Sequence, residues 1–140
     1  FIFNWRKKMG QESFQIMQLF YASMISRAIF TVGIFFMAWV ALRVAKSVNE
    51  NPNLVGQVFS SIFGLLVCWF GLIQVSFTTW SVESAAYQLS QLEALSPTEQ
   101  LFVDYFNVGV PSASMVPDPL NGLFWLCILV FILVPTWQKK

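Results

Sequence analysis

Residues 51–82 have the sequence NPNLVGQVFSSIFGLLVCWFGLIQVSFTTWSV, which contains no charged side chain. Residues 119–138 form a second charge-free stretch, and residues 28–42 form a third between Arg27 and Arg43. A helix needs about 20 apolar residues to cross a hydrocarbon core of about 30 Å. The first two stretches reach that length, and the third approaches it because its flanking arginines can extend to the headgroups. The sequence therefore predicts an all-α integral membrane protein with three transmembrane helices.

The composition agrees with a chain that has a lipid-facing surface. Hydrophobic residues make up 56% of the sequence and charged residues only 11%, which is far from the balance of soluble domains. Histidine is absent, which excludes a histidine-based catalytic triad and leaves no histidine ligand for haem or zinc. The carboxylates are dispersed, and no basic cluster supports nucleic-acid binding. We therefore expect no enzymatic activity, no cofactor, no metal site and no nucleic-acid partner.

Residues 1–27 combine a basic lead with an amphipathic helical pattern. Gln11, Gln15 and Gln18 recur at spacings of four and three, beside an apolar stripe that begins at Phe14. This pattern is typical of a helix that lies in the membrane interface or against a partner. Because no proline interrupts the chain between this segment and the first span, a single continuous helix is the alternative.

Residues 28–77 are predicted to form a transmembrane hairpin. The first helix extends to about Lys46, and the turn at residues 47–53 contains Pro52, which disfavours helical geometry at the residue before it. The second helix covers residues 54–77. Because the connection is short, we expect the two helices to be antiparallel neighbours.

Residues 78–121 form an acidic region between the second and third spans. It is predicted to contain two short helices, the first over residues 81–95. Ser96 begins the second, because it can cap the helix while Pro97 takes the first helical position and Glu99 closes a capping box. Both helices are half apolar, so they need a membrane surface or a partner subunit to pack on. The acidic residues of this region, which has no lysine or arginine, are Glu83, Glu93, Glu99, Asp104 and Asp118.

Residues 122–140 contain the third transmembrane helix and a basic C-terminus. Trp125 and Trp137 are candidate anchors at the membrane interfaces. The basic residues divide equally between the two sides of the membrane, so the positive-inside rule does not decide the topology. We expect the acidic region outside and Lys139 and Lys140 inside, in a bacterial inner membrane or an organelle inner membrane.

Gly56, Ser60, Gly64 and Cys68 lie four residues apart and form a stripe of small side chains on the second helix. Such a stripe lets a neighbouring backbone approach closely, which is a common way for membrane helices to associate. We predict a helix-packing face, used either within the chain or with another subunit. Gln57 and Gln74 lie toward opposite ends of the same helix. We expect both to form interhelical hydrogen bonds, and the alternative is that they line a polar path.

Basic residues of the N-terminal segment are candidates for contact with lipid headgroups. We expect Arg27 at the membrane interface, with its side chain extended toward the headgroups. The alternative is a deeper position, which would cost about 2.5–3.5 kcal/mol and would require a partner. The candidate residues are Arg6, Lys7, Lys8 and Arg27.

These features together predict helix packing and no chemistry. We expect a non-catalytic structural or accessory subunit of a larger multi-subunit membrane complex, which packs through small-residue helix faces. Its partners would be the lipid bilayer and other membrane protein subunits, in a homo-oligomer or hetero-oligomer. The alternative is a self-associating channel or a component of a secretion or conjugation translocation pore, which needs several copies to enclose a path.

Overall fold

The computed structural model describes residues 2–138, with side chains described from Gly10 onward, so Lys139 and Lys140 of the predicted basic C-terminus lie outside the described residues. Within the described part of the chain, the elements are four helices and no strand. Three of them are long and apolar enough to cross a membrane, which confirms the predicted all-α membrane fold. The helices are α1 (Ile2–Glu50), α2 (Leu54–Ser90), α3 (Pro97–Phe106) and α4 (Pro119–Trp137).

α1 is continuous through the predicted amphipathic segment and the first span. It contains 49 residues, so the alternative of a single helix is the one observed. Its interior has no proline, and Gly10 and Gly33 each cost only about 1 kcal/mol relative to alanine. α1 ends at Glu50 because Pro52 disfavours helical geometry at Asn51.

α2 differs from the prediction, which ends the second helix at Phe77 and begins another at Ser81. The helix instead continues without a break to Ser90. The polar residues after Phe77 favour a more polar environment than the apolar residues before it. They do not end the helix, because residues 72–90 contain no glycine or proline to interrupt the backbone hydrogen bonds. The region between the second and third spans therefore holds one separate short helix, α3, together with the C-terminal part of α2.

The chain divides into two units. Unit 1 consists of Phe1–Arg27 and Phe77–Ser114, and unit 2 consists of Ala28–Ser76 and Met115–Lys140. Whether unit 1 lies outside the membrane remains a prediction.

Unit 2 is a bundle of three helical segments whose lengths match the hydrocarbon core. Its parts of α1 and α2 have about 23 residues each, or about 35 Å, and α4 is about 29 Å long. The three segments meet in two small clusters of buried side chains. The first contains Ala38, Val67, Cys68 and Trp125, and the second contains Ala41, Ala45 and Ile132.

Unit 1 contains the first part of α1, the last part of α2 and α3. One face of α3 packs inward: Val103 is buried, and the ring of Phe102 meets that of Phe20 edge-on, with 5.5 Å between the centroids. The contact does not cover the predicted apolar stripe on the N-terminal part of α1, since Phe14 and Tyr21 of that stripe remain exposed. Buried apolar residues on α2 are Ala85, Ala86 and Leu89.

A complete capping box starts α3, as the sequence predicts. The Ser96 hydroxyl accepts a hydrogen bond of 3.3 Å from the Glu99 backbone N–H, and the Glu99 carboxylate accepts one of 2.7 Å from the Ser96 backbone N–H. Both bonds satisfy N–H groups at a helix start, where the helix itself supplies no partner. The Ser96 backbone bond, aided by the hydroxyls of Ser96 and Ser13, lowers the pKa of Glu99, and partial burial acts in the opposite direction.

Acidification should weaken the start of α3. The folded state holds the pKa of Glu99 below its ordinary value of 4.5, so the carboxylate contributes stability at neutral pH. That contribution is lost as the pH falls below 4.5 and through the lowered pKa of the folded state. Hydrogen exchange of the α3 amides, corrected for intrinsic rates, should therefore quicken over this range in the wild type and much less in Glu99→Gln.

Ser96→Ala provides the matched comparison for this prediction. It removes the other half of the capping box and should destabilise α3 by about 1 kcal/mol at neutral and acidic pH alike. An identical pH response of the wild type and Glu99→Gln would show that the carboxylate does not stabilise α3.

Candidate functional site

α2 and α4 of unit 2 pack closely at small side chains. Gly64 is buried, and a Cβ built on it would lie 2.7 Å from Cγ2 of Ile132. Gly71 is also buried, and a Cβ built there would overlap the ring of Trp125. The two glycines therefore let side chains of α4 rest against the backbone of α2, which larger residues would prevent.

Two further residues of the predicted stripe lie in the same contact. Ser60 is buried, with its hydroxyl 3.1 Å from that of Thr136 on α4. Cys68 is buried, with its Sγ 3.6 Å from the carbonyl oxygen of Trp125, a separation suited to a weak sulfur hydrogen bond. Over Ser60, Gly64 and Cys68 the stripe is therefore used inside the chain.

Gly56 does not belong to this contact, and Gly71 does. Gly56 lies in the first turn of α2, where its backbone N–H donates a hydrogen bond of 2.6 Å to the side chain of Asn53. Each step of four residues advances about 40° beyond a full turn, so Gly56 is rotated about 80° from Gly64. Gly71 follows Gly64 by seven residues and is rotated by only about 20°. The seven-residue spacing is the sequence signal that would have found it.

A cluster of polar side chains joins the C-terminal end of α4 to the turn between α1 and α2. Asn49 donates hydrogen bonds to the carbonyl oxygens of Pro135 and Gln138, at 2.7 and 3.2 Å. Gln57 donates one of 3.1 Å to the carbonyl oxygen of Thr136, which confirms its predicted interhelical hydrogen bond. The last carbonyl groups of a helix have no partner within the helix, so these amides supply partners that lipid cannot.

Hydroxyl and indole groups complete this polar cluster. The Thr136 hydroxyl donates to the Ile132 carbonyl oxygen at 2.7 Å, so the Ser60 hydroxyl is the donor in its bond to Thr136. The indole N–H of Trp137 donates to the Ser61 hydroxyl at 2.9 Å. Amides, hydroxyls and an indole do not titrate near neutral pH. The polar cluster therefore holds helix ends together and carries no acid–base chemistry.

Trp125 is buried, with 5% of its surface exposed, and is not the interface anchor that the sequence predicts. Its ring stacks on that of Phe35, with 5.9 Å between the centroids, and covers Gly71. The indole fits into the space beside Gly71 on α2. The residue pattern of α4 alone does not reveal a space that lies on another helix. Trp137 is half exposed, and its position relative to a membrane interface remains a prediction.

The candidate headgroup contacts are described only in part. The side chains of Arg6, Lys7 and Lys8 lie outside the described residues. Arg27 is partly buried in unit 1, and its guanidinium carbon lies 5.8 Å from the centroid of the Phe77 ring. This is an attractive arrangement, because the face of an aromatic ring carries negative potential. The depth of Arg27 in a membrane remains a prediction.

The described residues include no group of three histidine, cysteine, aspartate or glutamate side chains that could hold a metal ion. Both cysteines are free thiols, Cys68 buried and Cys127 exposed. The fold and the contacts define an all-α membrane protein in which α4 is held by small residues and by the polar cluster. Comparisons with protein-family models, curated proteins and solved structures found no match, so the function is inferred from the residues themselves.

Gly71→Ala should destabilise unit 2. A Cβ at this position overlaps the Trp125 ring, and overpacking of this kind costs about 1–3 kcal/mol. Thermal unfolding in detergent micelles, followed by circular dichroism, should therefore show a lower midpoint.

Gly33→Ala is the matched control for this substitution. A Cβ on Gly33 meets nothing within 4 Å, and alanine favours a helix over glycine by about 1 kcal/mol, so the midpoint should stay unchanged or rise. Equal midpoints for the two variants would be incompatible with the packing of α4 against Gly71.

Proposed function

We propose that the chain is a non-catalytic accessory subunit of a larger multi-subunit membrane assembly and that it contacts a neighbouring subunit through unit 1. The observation that carries this proposal is an exposed apolar surface on α3 and the segment that follows it. Tyr105 has 82% of its surface exposed and Val110 has 77%. We call this surface, formed by Leu101, Tyr105, Val108 and Val110, the α3 surface.

The two faces of α3 explain why this surface needs a cover. Phe102 and Val103 fill the inner face, yet Leu101 and Tyr105 place further large apolar side chains on the outer one. Gln100 and Asp104 are exposed beside them, so the outer face of α3 combines large apolar side chains with a polar border. Contiguous exposed apolar surface of this kind is typical of a contact with another protein or with a membrane.

The charge of the region favours a protein over a lipid surface. Residues 78–118 carry five acidic side chains and no lysine or arginine. Anionic lipid headgroups repel an acidic segment, so a membrane surface that carries them is a poor partner for this region. A partner subunit with a basic rim around an apolar patch would match both features of the α3 surface.

The lengths of the helices are compatible with a contact outside the hydrocarbon core. α1 contains 49 residues and α2 contains 37, which correspond to about 73 Å and 55 Å. A bilayer core of about 30 Å accommodates only part of either helix. The remainder is accessible to partners in the headgroup region or in water.

The small-residue face contributes to the proposal in a narrower way than the sequence suggests. Contacts with other subunits have to use other surfaces, because α4 covers Ser60, Gly64 and Cys68.

The hydrogen bonds to α4 also bear on the alternative of a self-associating channel or translocation-pore component. A pore needs polar side chains free to face water, whereas Gln57 and Ser60 are engaged in hydrogen bonds to α4. We therefore favour the accessory subunit.

Site-specific photocrosslinking in the native membrane tests the proposal. A benzophenone amino acid in place of Tyr105 should form a discrete adduct with a second protein, because this side chain is the most exposed of the α3 surface. The matched control replaces Phe131, an aromatic residue of α4 that is 66% exposed, and should give lipid adducts or none.

The proposal fails if the Tyr105 probe forms no protein adduct and the full chain extracted in mild detergent is monodisperse and monomeric. Adducts of the Tyr105 probe with a second copy of this chain only, in a ring-shaped oligomer, would favour the self-associating alternative.

A further inference from the structure

An apolar groove runs between α1 and α2 in unit 2. Its volume is about 390 Å³, within the range of sites that hold small molecules. Gly33 borders this open space, since a Cβ built on it would meet nothing within 4 Å. The groove is lined only by apolar residues, which include Ile29, Gly33, Phe36 and Met37 on α1 and Val67 and Phe70 on α2.

A row of contacts leads from this groove to a positive charge. The ring of Phe36, which lines the groove, stacks on the ring of Trp39 with 5.8 Å between the centroids. The guanidinium carbon of Arg43 lies 5.1 Å from the centroid of the Trp39 ring. Phe36, Trp39 and Arg43 share one face of α1, because seven residues make about two turns.

We propose that unit 2 binds one anionic glycerophospholipid, with an acyl chain in the groove and the phosphate at the guanidinium of Arg43. About 15 Å of helix separates Gly33 from Arg43, a distance that a single lipid spans between its headgroup and the middle of a chain. Guanidinium groups bind phosphate oxygens through paired hydrogen bonds. Trp39 lies between the two parts, and tryptophan is enriched at the level of the headgroups.

Charge and polarity select this occupant over a helix of another subunit. The groove offers no polar partner along its length, and the row of rings from Phe36 to Trp39 leads beyond it to the positive charge of Arg43. That division matches an amphiphile with an apolar chain and an anionic head. Lys46 adds a second positive charge one turn beyond Arg43, and Glu50 places an opposing charge one turn further still.

Native mass spectrometry of the full chain in detergent tests the headgroup part of the proposal. Titration with palmitoyl-oleoyl phosphatidylglycerol and with the corresponding phosphatidylcholine should give tighter binding of the anionic lipid by about 5-fold, the effect of one basic residue at a membrane surface. Arg43→Gln should abolish this preference. Arg43→Lys keeps the charge and should retain most of it.

The acyl-chain part needs a separate pair of variants. Gly33→Leu adds a side chain at a groove position where a Cβ meets nothing within 4 Å, and it should weaken the binding of both lipids. Val32→Leu is the matched control, because Val32 is 70% exposed outside the groove, and it should leave both affinities unchanged.

Two outcomes overturn the proposal. The first is an unchanged preference for phosphatidylglycerol in Arg43→Gln. The second is unchanged lipid binding in Gly33→Leu. If the oligomeric mass of Gly33→Leu changes in that second case, the groove holds a helix of another copy. None of these results depends on whether the α3 surface binds a partner.

Discussion

The close approach of α4 to the glycine face of α2 is the constraint on which the rest of unit 2 depends. Lipid tails are as apolar as leucine, so burial of apolar surface alone does not bring membrane helices together. Association needs close contact, and Gly64 and Gly71 provide it for Ile132 and Trp125. Larger side chains at these two positions would move α4 outward.

The polar cluster depends on the same approach. Asn49 and Gln57 flank the turn between α1 and α2, and they reach the carbonyl groups of α4 only because that helix lies close. Proline at position 135 removes one backbone N–H from the last turn of α4, and the amide of Asn49 binds the carbonyl oxygen of the same residue. Dispersion contacts at the glycines and hydrogen bonds at the helix end therefore reinforce each other.

The contact between α2 and α4 determines which side chains remain on the outside of unit 2. The small residues face inward, which leaves large aliphatic and aromatic side chains on the outside of unit 2, as a lipid environment requires. Unit 1 has a different need, because its exposed apolar side chains lie on an acidic segment. The proposed roles differ accordingly: lipid binding for unit 2 and subunit binding for unit 1.

The sequence predicts those features whose cause is local. The capping box at Ser96 follows from three neighbouring residues, and the three spans follow from length and hydropathy. The end of α2 could not be predicted in the same way, because the change from apolar to polar residues near Phe77 marks a change of surroundings and not a break in the backbone. Trp125 and Gly71 illustrate a second limit. The burial of Trp125 on α4 depends on the space beside Gly71 on α2, and the need for glycine at position 71 depends on the Trp125 ring.

The most direct test of the central packing is an engineered disulfide between residues 64 and 132. A Cβ at residue 64 lies 3.5 Å from the Cβ of Ile132, within the range of native disulfides. With Cys68 and Cys127 replaced by alanine, oxidation of Gly64→Cys/Ile132→Cys in membranes should give the linked peptides in high yield by mass spectrometry. The pair Gly33→Cys/Ile132→Cys should stay reduced. Failure of the first pair to link, or equal linkage in both, would mean that α4 does not pack on the glycine face of α2.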